Sequence, residues 1–441
     1  MTRNRLTASV ALVLILVLLA GSGALAWQGA AAIKKPDPTA ALNATDEVLK
    51  VVSRMRQLEI KSPVKSGLKT KDEIEASVIH DLDESTPAAE LEASQKTLLK
   101  LGLVSKDFQL RDAIVKLLRE QVAGYYEPKT KEFYLAAWLP LSEQKKVMAH
   151  ELVHALQDQH FDLRRFEKWP KGDSDTEMAI HALIEGEAML VMIQYDMEEN
   201  GLKGVDIGKL PSLTEQLLKA DTSDDASYPV LSAAPRVLRE NLQFPYVYGV
   251  GFTQTVYKNS SWRGLDNAYR ELPASTEQII HPEKFFAREA PVKIDIPDLL
   301  SAFGKDWKQA DADVNGEFGY MVILGEFINK DTARTAAAGW GGDRYGFYEN
   351  KAANATVLVQ YTTWDTAADA REFFNAYAER TEKRYKVNGS MDATVSRRVY
   401  QTSEGLVTIE LRDKDVVMIE GAQNREQLAQ LQERAWQSKK K

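Results

Sequence analysis

AHELVHALQDQHF, residues 149–161, carries His150, Glu151 and His154 in the order HExxH. On a helix, side chains four residues apart lie one above the other, so both imidazoles can reach a single ion. Glu151 is displaced around the helix, toward the place a water on that ion would occupy. Neutral imidazoles suit zinc, and an open fourth position lets zinc activate water. Glu151 would then take the proton of that water as general base. Val147, Leu152, Val153 and Leu156 recur at near-helical spacing, which predicts a buried helix starting near Ser142.

Catalytic zinc takes three protein ligands, and HExxH supplies two. His160 stands where the pattern HExxHxxGxxH places a third histidine. That pattern breaks the helix at its glycine, which adopts a left-handed conformation. Here the position is Gln157. Without a break, His160 lies about 15 Å from His150 along the helix and faces another way; its other reading is a helix-end histidine favoured by the dipole. Glu185 is the second candidate. It sits in LIEGEA, residues 183–188, on a second predicted helix over 175–200 closed by Gly201. A carboxylate on so apolar a helix needs a cation or donors, and Gly186 beside it lets another helix come close. Glu187 points well away from Glu185 and reads as a partner of a ligating imidazole or as an exposed acid. His181, one turn before Glu185, reads as an ordinary helix histidine.

A helix pair with HExxH on one member and Glu on the next resembles the gluzincin class of zinc metallopeptidases. LIEGEA is similar to the LNEGxA context of that class on Glu185, Gly186 and Ala188, with Ile184 where Asn would stand. The resemblance covers residues 149–189. It implies a zincin-like fold, His150, His154 and Glu185 as Zn2+ ligands, and hydrolysis of a peptide or protein substrate. The chain is also similar to a group of exported bacterial proteins with HELxHALQDQ, EGEA or EGDA, and STEQxxHPEK segments; here the last reads STEQIIHPEK, residues 275–284.

Peptide hydrolysis also needs a donor for the developing oxyanion. His281, on a turn before Pro282, is the first candidate. Tyr248 and Tyr246 follow, in FPYVYGVGF, where Gly249 and Gly251 would permit close packing. Asp158 is a candidate to orient a ligating histidine. GYYEPKTKEFYL, residues 124–135, predicts a β-hairpin directly before the metal helix; an edge strand there would hold an extended substrate by main-chain pairing.

The chain has 441 residues, enough for two or three domains. Residues 1–26 read as a signal peptide or N-terminal membrane anchor: a basic start, an apolar run and Ala24-Leu25-Ala26 as a cleavage signal. The rest would then act outside the cytoplasm, periplasmic or extracellular, with residues 6–27 as the anchor if the signal stays. Residues 27–43 read as a linker. Residues 44–300 form the expected peptidase domain, with 44–107 as a helical front part or a pro-segment. After 300 the texture changes to alternating segments near 344–348, 355–362, 397–402, 406–411 and 415–420, interleaved with helices. The expected fold class is therefore α+β: a mainly helical domain with a short hairpin, then a smaller α+β domain with an antiparallel sheet.

Loss of residues 1–26 would move the net charge from -8 to -10, with 54 basic against 64 acidic residues. That balance disfavours nucleic acid as a partner. The absence of cysteine excludes a thiol nucleophile, disulfides and thiolate metal sites. Outside the signal region there is no G-x-S-x-G elbow, and there is no phosphate-binding loop. The alternative to an enzyme is a non-catalytic envelope binding protein that keeps a metallopeptidase fold; the intact Glu151 speaks against it.

Overall fold

Apolar residues in the first half recur at helical spacing, and helices follow from them. The computed structural model describes residues 38–136, 141–168, 172–219 and 228–441. The expected signal and most of the expected linker lie outside these residues. Among the described residues, no helix is long and apolar enough to cross a membrane.

The chain begins with α1 (Pro38–Arg56), then β1 (Lys65–Lys69), α2 (Lys71–Ser85), α3 (Ala88–Leu101) and α4 (Leu110–Gln121). Thr70 and Glu73 form a reciprocal capping box that starts α2. The expected hairpin is present as β2 (Gly124–Glu127) and β3 (Glu132–Ala136), with Tyr126 opposite Phe133. Strand β1 pairs in parallel with β3, so the sheet order is β1-β3-β2 and β2 lies at an edge. The front part is thus not purely helical: one of its strands is built into the sheet beside the HExxH helix. KSGLK lacks the apolar alternation that would have announced it.

Two long helices follow, α5 (Leu141–Phe161) and α6 (Ser174–Glu199), the latter N-capped by Asp173. They run antiparallel. Lys146 pairs with Asp196 at one end, and Gln157 reaches Ile184 and Glu187 at the other. Short helices α7 (Leu213–Lys219) and α8 (Pro229–Ala233) lead to α9 (Arg236–Ala268). The sequence predicts separate helical stretches here, over 235–242, 247–257 and 262–272. Instead α9 continues through Pro245 and kinks at Ser261, whose φ is 53°. Interior proline costs a helix about 3 kcal/mol; the buried Phe244, Tyr246, Val250 and Phe252 around it supply the opposing packing.

Helices α10 (Thr276–Ile280) and α11 (Pro282–Phe286) lead through β4 (Ile294–Asp295) to β5 (Lys308–Asp313), α12 (Gly316–Gly325) and α13 (Lys330–Ala337). Then come β6 (Trp340–Asn350), β7 (Ala355–Trp364), α14 (Ala367–Tyr385), β8 (Asp392–Thr394), β9 (Arg397–Thr402), β10 (Gly405–Arg412), β11 (Asp415–Ala422), α15 (Arg425–Ala435) and β12 (Lys439–Lys440), which pairs with β4. Seven strands form one antiparallel sheet in the order β5-β6-β7-β11-β10-β9-β8. The fold class is α+β, as expected.

Alternation along the strands decides the two faces of this sheet. Leu358, Val416 and Met418 join a core with Phe373, Phe374 and Tyr377 of α14. Val357, Val359, Val417 and Ile419 join the opposite core with Leu428 and Leu431 of α15. The first core does not stop near residue 300. It continues through α12 into α9, α6, α5 and α1, so the sheet is packed onto the helical part through shared apolar residues.

Candidate metal centre

The middle of the HExxH helix is buried on all sides. Val147, Met148, Ala149, Leu152, Val153, Ala155 and Leu156 are all buried, and His150, Glu151, His154 and Gln157 are enclosed with them rather than on a wet face. His150 and His154 stand one turn apart with ring centroids 4.8 Å apart. Glu185 faces them from α6. The two Nε2 atoms are 3.1 Å apart. Glu185 Oε2 lies 3.0 Å from Nε2 of His150 and 3.5 Å from Nε2 of His154. These atoms form a group that could hold a metal ion. The edges of this triangle fit zinc: ligand atoms about 2.0–2.1 Å from a tetrahedral ion are roughly 3.3 Å from each other.

The tautomer of His154 follows from its neighbours. Gln157 donates from Nε2 to the Ile184 carbonyl at 3.0 Å and to Glu187 Oε2 at 2.6 Å. Both amide hydrogens are used, so Oε1 faces His154 Nδ1, 2.7 Å away, and accepts from it. In neutral His154, Nε2 therefore keeps its lone pair and points it into the group.

Burial alone would strip charge from all of these residues, and the interactions among them decide the outcome. Burial lowers His150 despite Glu185. Burial also acts against charge on His154, but the Glu185 carboxylate outweighs it and lifts this residue to about 9. For Glu185 burial would raise the pKa; the two imidazoles overcome it and hold the carboxyl at about 2. The group thus favours a positive charge among its ligand atoms. Glu151 is pushed up to about 8, by burial first and with a contribution from the Glu185 charge. Its Oε2 accepts from the Tyr126 backbone N–H at 2.6 Å, whereas its buried Oε1 has no hydrogen-bond partner among the described residues. One oxygen is fixed by the edge strand and the other is available to a proton.

Glycines bring the helices together. Gly186 of α6 meets Gly249 of α9 backbone to backbone, and Gly249 in turn faces the Ala182 carbonyl. A methyl group at Gly186 would fall inside the Gly249 peptide group. Gly186→Ala is expected to lower stability by at least about 1–3 kcal/mol, the usual cost of overpacking, read as a reduced urea midpoint. The same contact sets Tyr246 near the ligands: its ring centroid is 6.2 Å from that of His150. Gly251 packs instead against Thr214 of α7.

The other sequence candidates have other partners. His160 remains on the unbroken α5, with Nε2 2.7 Å from the Glu59 carbonyl, and is not in the ligand group. Asp158 accepts from the Tyr126 hydroxyl at 3.0 Å and the Leu163 N–H at 3.1 Å. It ties the helix end to the edge strand, and Gln157 takes the orienting role expected of Asp158. Glu187 is fully buried and accepts from Gln157 and from the Tyr269 hydroxyl at 2.7 Å; it acts on His154 at one remove. Tyr248 stacks on Phe244 and lies beside Arg334.

His281 is 3.0 Å from Glu317 of α12, whose hydrogen bond raises its pKa. The rest of STEQIIHPEK is a clamp. Ser275 caps α10, Thr276 bonds Asp175 at the start of α6, and Lys284 gathers Glu277, Glu289 and Asp365 at 2.7, 2.8 and 2.5 Å. Those three acids are close enough together to resemble a second metal group, but the Lys284 ammonium already occupies the space between them.

Comparison with known proteins bears on the C-terminal part only. Residues 303–432 match a family described as a domain of unknown function (DUF8575). The match covers all seven strands of the large sheet and none of the residues of the histidine group. No curated protein and no solved structure matches the chain.

Proposed function

We propose that this chain is a zinc-dependent metallopeptidase. The observation that supports this most directly is the buried triangle of His150 Nε2, His154 Nε2 and Glu185 Oε2, with edges of 3.0 to 3.5 Å, next to a glutamate with one unpartnered oxygen. His150, His154 and Glu185 would hold the ion. Zinc supplies a Lewis acid that polarises the scissile carbonyl and makes water acidic enough to lose a proton near neutral pH.

The remaining chemistry belongs to the chain. Glu151 Oε1 takes a proton from the attacking water while Oε2 stays anchored on the Tyr126 N–H. The water oxygen forms the new bond to the carbonyl carbon. The C–N bond breaks as Glu151 returns its proton to the leaving nitrogen, so acid and carboxylate alternate on one residue. Of the three candidates for the oxyanion, Tyr246 has the best claim, because its ring lies 6.2 Å from that of His150. The edge strand β2, beside α5, offers main-chain groups to an extended peptide. Export rests on the basic and apolar character of residues 1–26.

The test is reversible metal removal. Purified chain is expected to hydrolyse an unstructured protein substrate, to lose that activity to a zinc chelator, and to regain it with stoichiometric zinc. Hydrolysis that persists after complete zinc removal would contradict the proposal.

A further inference from the structure

Glu187 lies two residues from Glu185, so α6 buries two carboxylates close to one group of ligands. The cation for Glu187 comes from the far end of the described sequence. Arg56, the last residue of α1, is fully buried and donates from Nε to Glu187 Oε1. Its Nη2 donates to Asp266 Oδ1 at 2.6 Å, and its guanidinium lies 5.0 Å from the Trp262 ring centroid on α9.

We propose that Arg56 is a positioning residue for the metal group: through Glu187 and Gln157 it fixes which nitrogen of His154 keeps a lone pair, and so makes α1 a standing part of the site. The proposal rests on reading His150, His154 and Glu185 as metal ligands. The reasoning is about the Gln157 amide, which can be placed in two ways. As observed, NH2 faces two acceptors, the Ile184 carbonyl and Glu187 Oε2, and the oxygen faces His154 Nδ1. Turned over, the oxygen would face both acceptors and the NH2 would face Nδ1. His154 would then carry its hydrogen on Nε2, which cannot ligate. The second placement would set the Gln157 oxygen against two oxygens, and Arg56 on Oε1 together with the Tyr269 hydroxyl on Oε2 holds the Glu187 carboxyl in that position. Stability alone does not call for such a pair, because apolar groups of similar volume often replace a buried ion pair without loss. The link also gives α1 a part in the expected peptidase that a removable pro-segment would not have.

The experiment measures zinc affinity of the full chain by chelator competition, with the unfolding midpoint of the metal-free protein alongside. Arg56→Met, Glu187→Leu and Tyr269→Phe together replace the polar cluster with apolar groups and leave Gln157 free to turn. Zinc binding is expected to weaken roughly 10–100-fold, the usual cost of losing an outer partner of a ligating histidine. Adding Gln157→Glu is expected to restore most of it, because a carboxylate can only accept from Nδ1. Unchanged affinity in the triple variant overturns the proposal, as does a loss that Gln157→Glu fails to recover. If the triple variant does not fold, Arg56→Lys keeps the buried charge but loses the planar fork; weaker zinc binding by that folded variant supports the proposal and wild-type affinity overturns it. A wild-type chain that binds no zinc overturns the metal reading itself, which is a different result from unchanged affinity in the variants.

Discussion

Glu151→Gln is expected to lower peptide hydrolysis by at least about 10²–10⁴-fold, the typical contribution of general acid–base catalysis, while the zinc stays bound. The substitution is nearly isosteric. Glutamine can still accept the Tyr126 N–H through its carbonyl oxygen, which keeps the side chain where Glu151 Oε2 holds it now. What is lost is the oxygen that has no hydrogen-bond partner among the described residues, and with it the means to carry a proton from water to the leaving nitrogen. Glu151 is not in the ligand group, so metal content should match wild type. Activity is measured as initial rate on a quenched-fluorescence peptide mixture, and metal by mass spectrometry on the same sample. Equal rates in the two proteins would sink the mechanism. Zinc bound by a wild-type chain with no hydrolytic activity toward any peptide or protein would favour the envelope binding protein instead.

The second large effect is a contrast between two residues that the sequence offers for one role. Glu185→Ala removes the only carboxylate of the triangle and leaves the two imidazoles as its remaining ligands. The loss of zinc affinity should exceed the roughly 10–100-fold that follows from losing an outer partner. His160→Ala should leave both affinity and stoichiometry unchanged, because its Nε2 is engaged with the Glu59 carbonyl and stands apart from the group. Its cost is the hydrogen bond to that carbonyl, about 1 kcal/mol of stability. Zinc retained by Glu185→Ala and lost by His160→Ala would reverse the ligand assignment.

The ligand helices were legible because their signals are local. HExxH sits in an apolar run and LIEGEA has an acid beside a glycine; α5 begins close to the expected Ser142, and α6 ends close to the expected stop before Gly201. The hairpin and five of the sheet strands were legible for the same reason, since alternation and turn residues lie within a few positions of each other. What was not legible depends on partners distant in sequence. Strand β1 has little apolar pattern and exists because β3 pairs with it. Strand β5, KQADAD, is an edge strand with few apolar residues to mark it. Helix α9 survives Pro245 through tertiary packing that no local rule anticipates.

The same division holds within the site. Gln157 entered the sequence reading only as the place where a glycine is missing. Its position three residues after His154, on a neighbouring part of the helix face, was the available signal for an orienting partner. The Tyr126 backbone donor and Arg56 left no such mark, the latter lying 131 positions from Glu187. STEQIIHPEK shows the converse. A run of polar residues next to a histidine and a proline reads as a site loop, yet its side chains join α6, α12 and β7's following turn through Asp175, Glu317 and Asp365.

The most direct test of the central claim is a crystal structure of the zinc-loaded chain with anomalous data on both sides of the zinc absorption edge. The account predicts one zinc per chain, bound by Nε2 of His150, Nε2 of His154 and a carboxylate oxygen of Glu185, each about 2.0–2.2 Å from the ion. A strong zinc peak elsewhere, or none at this triangle in a chain saturated with zinc, would contradict it.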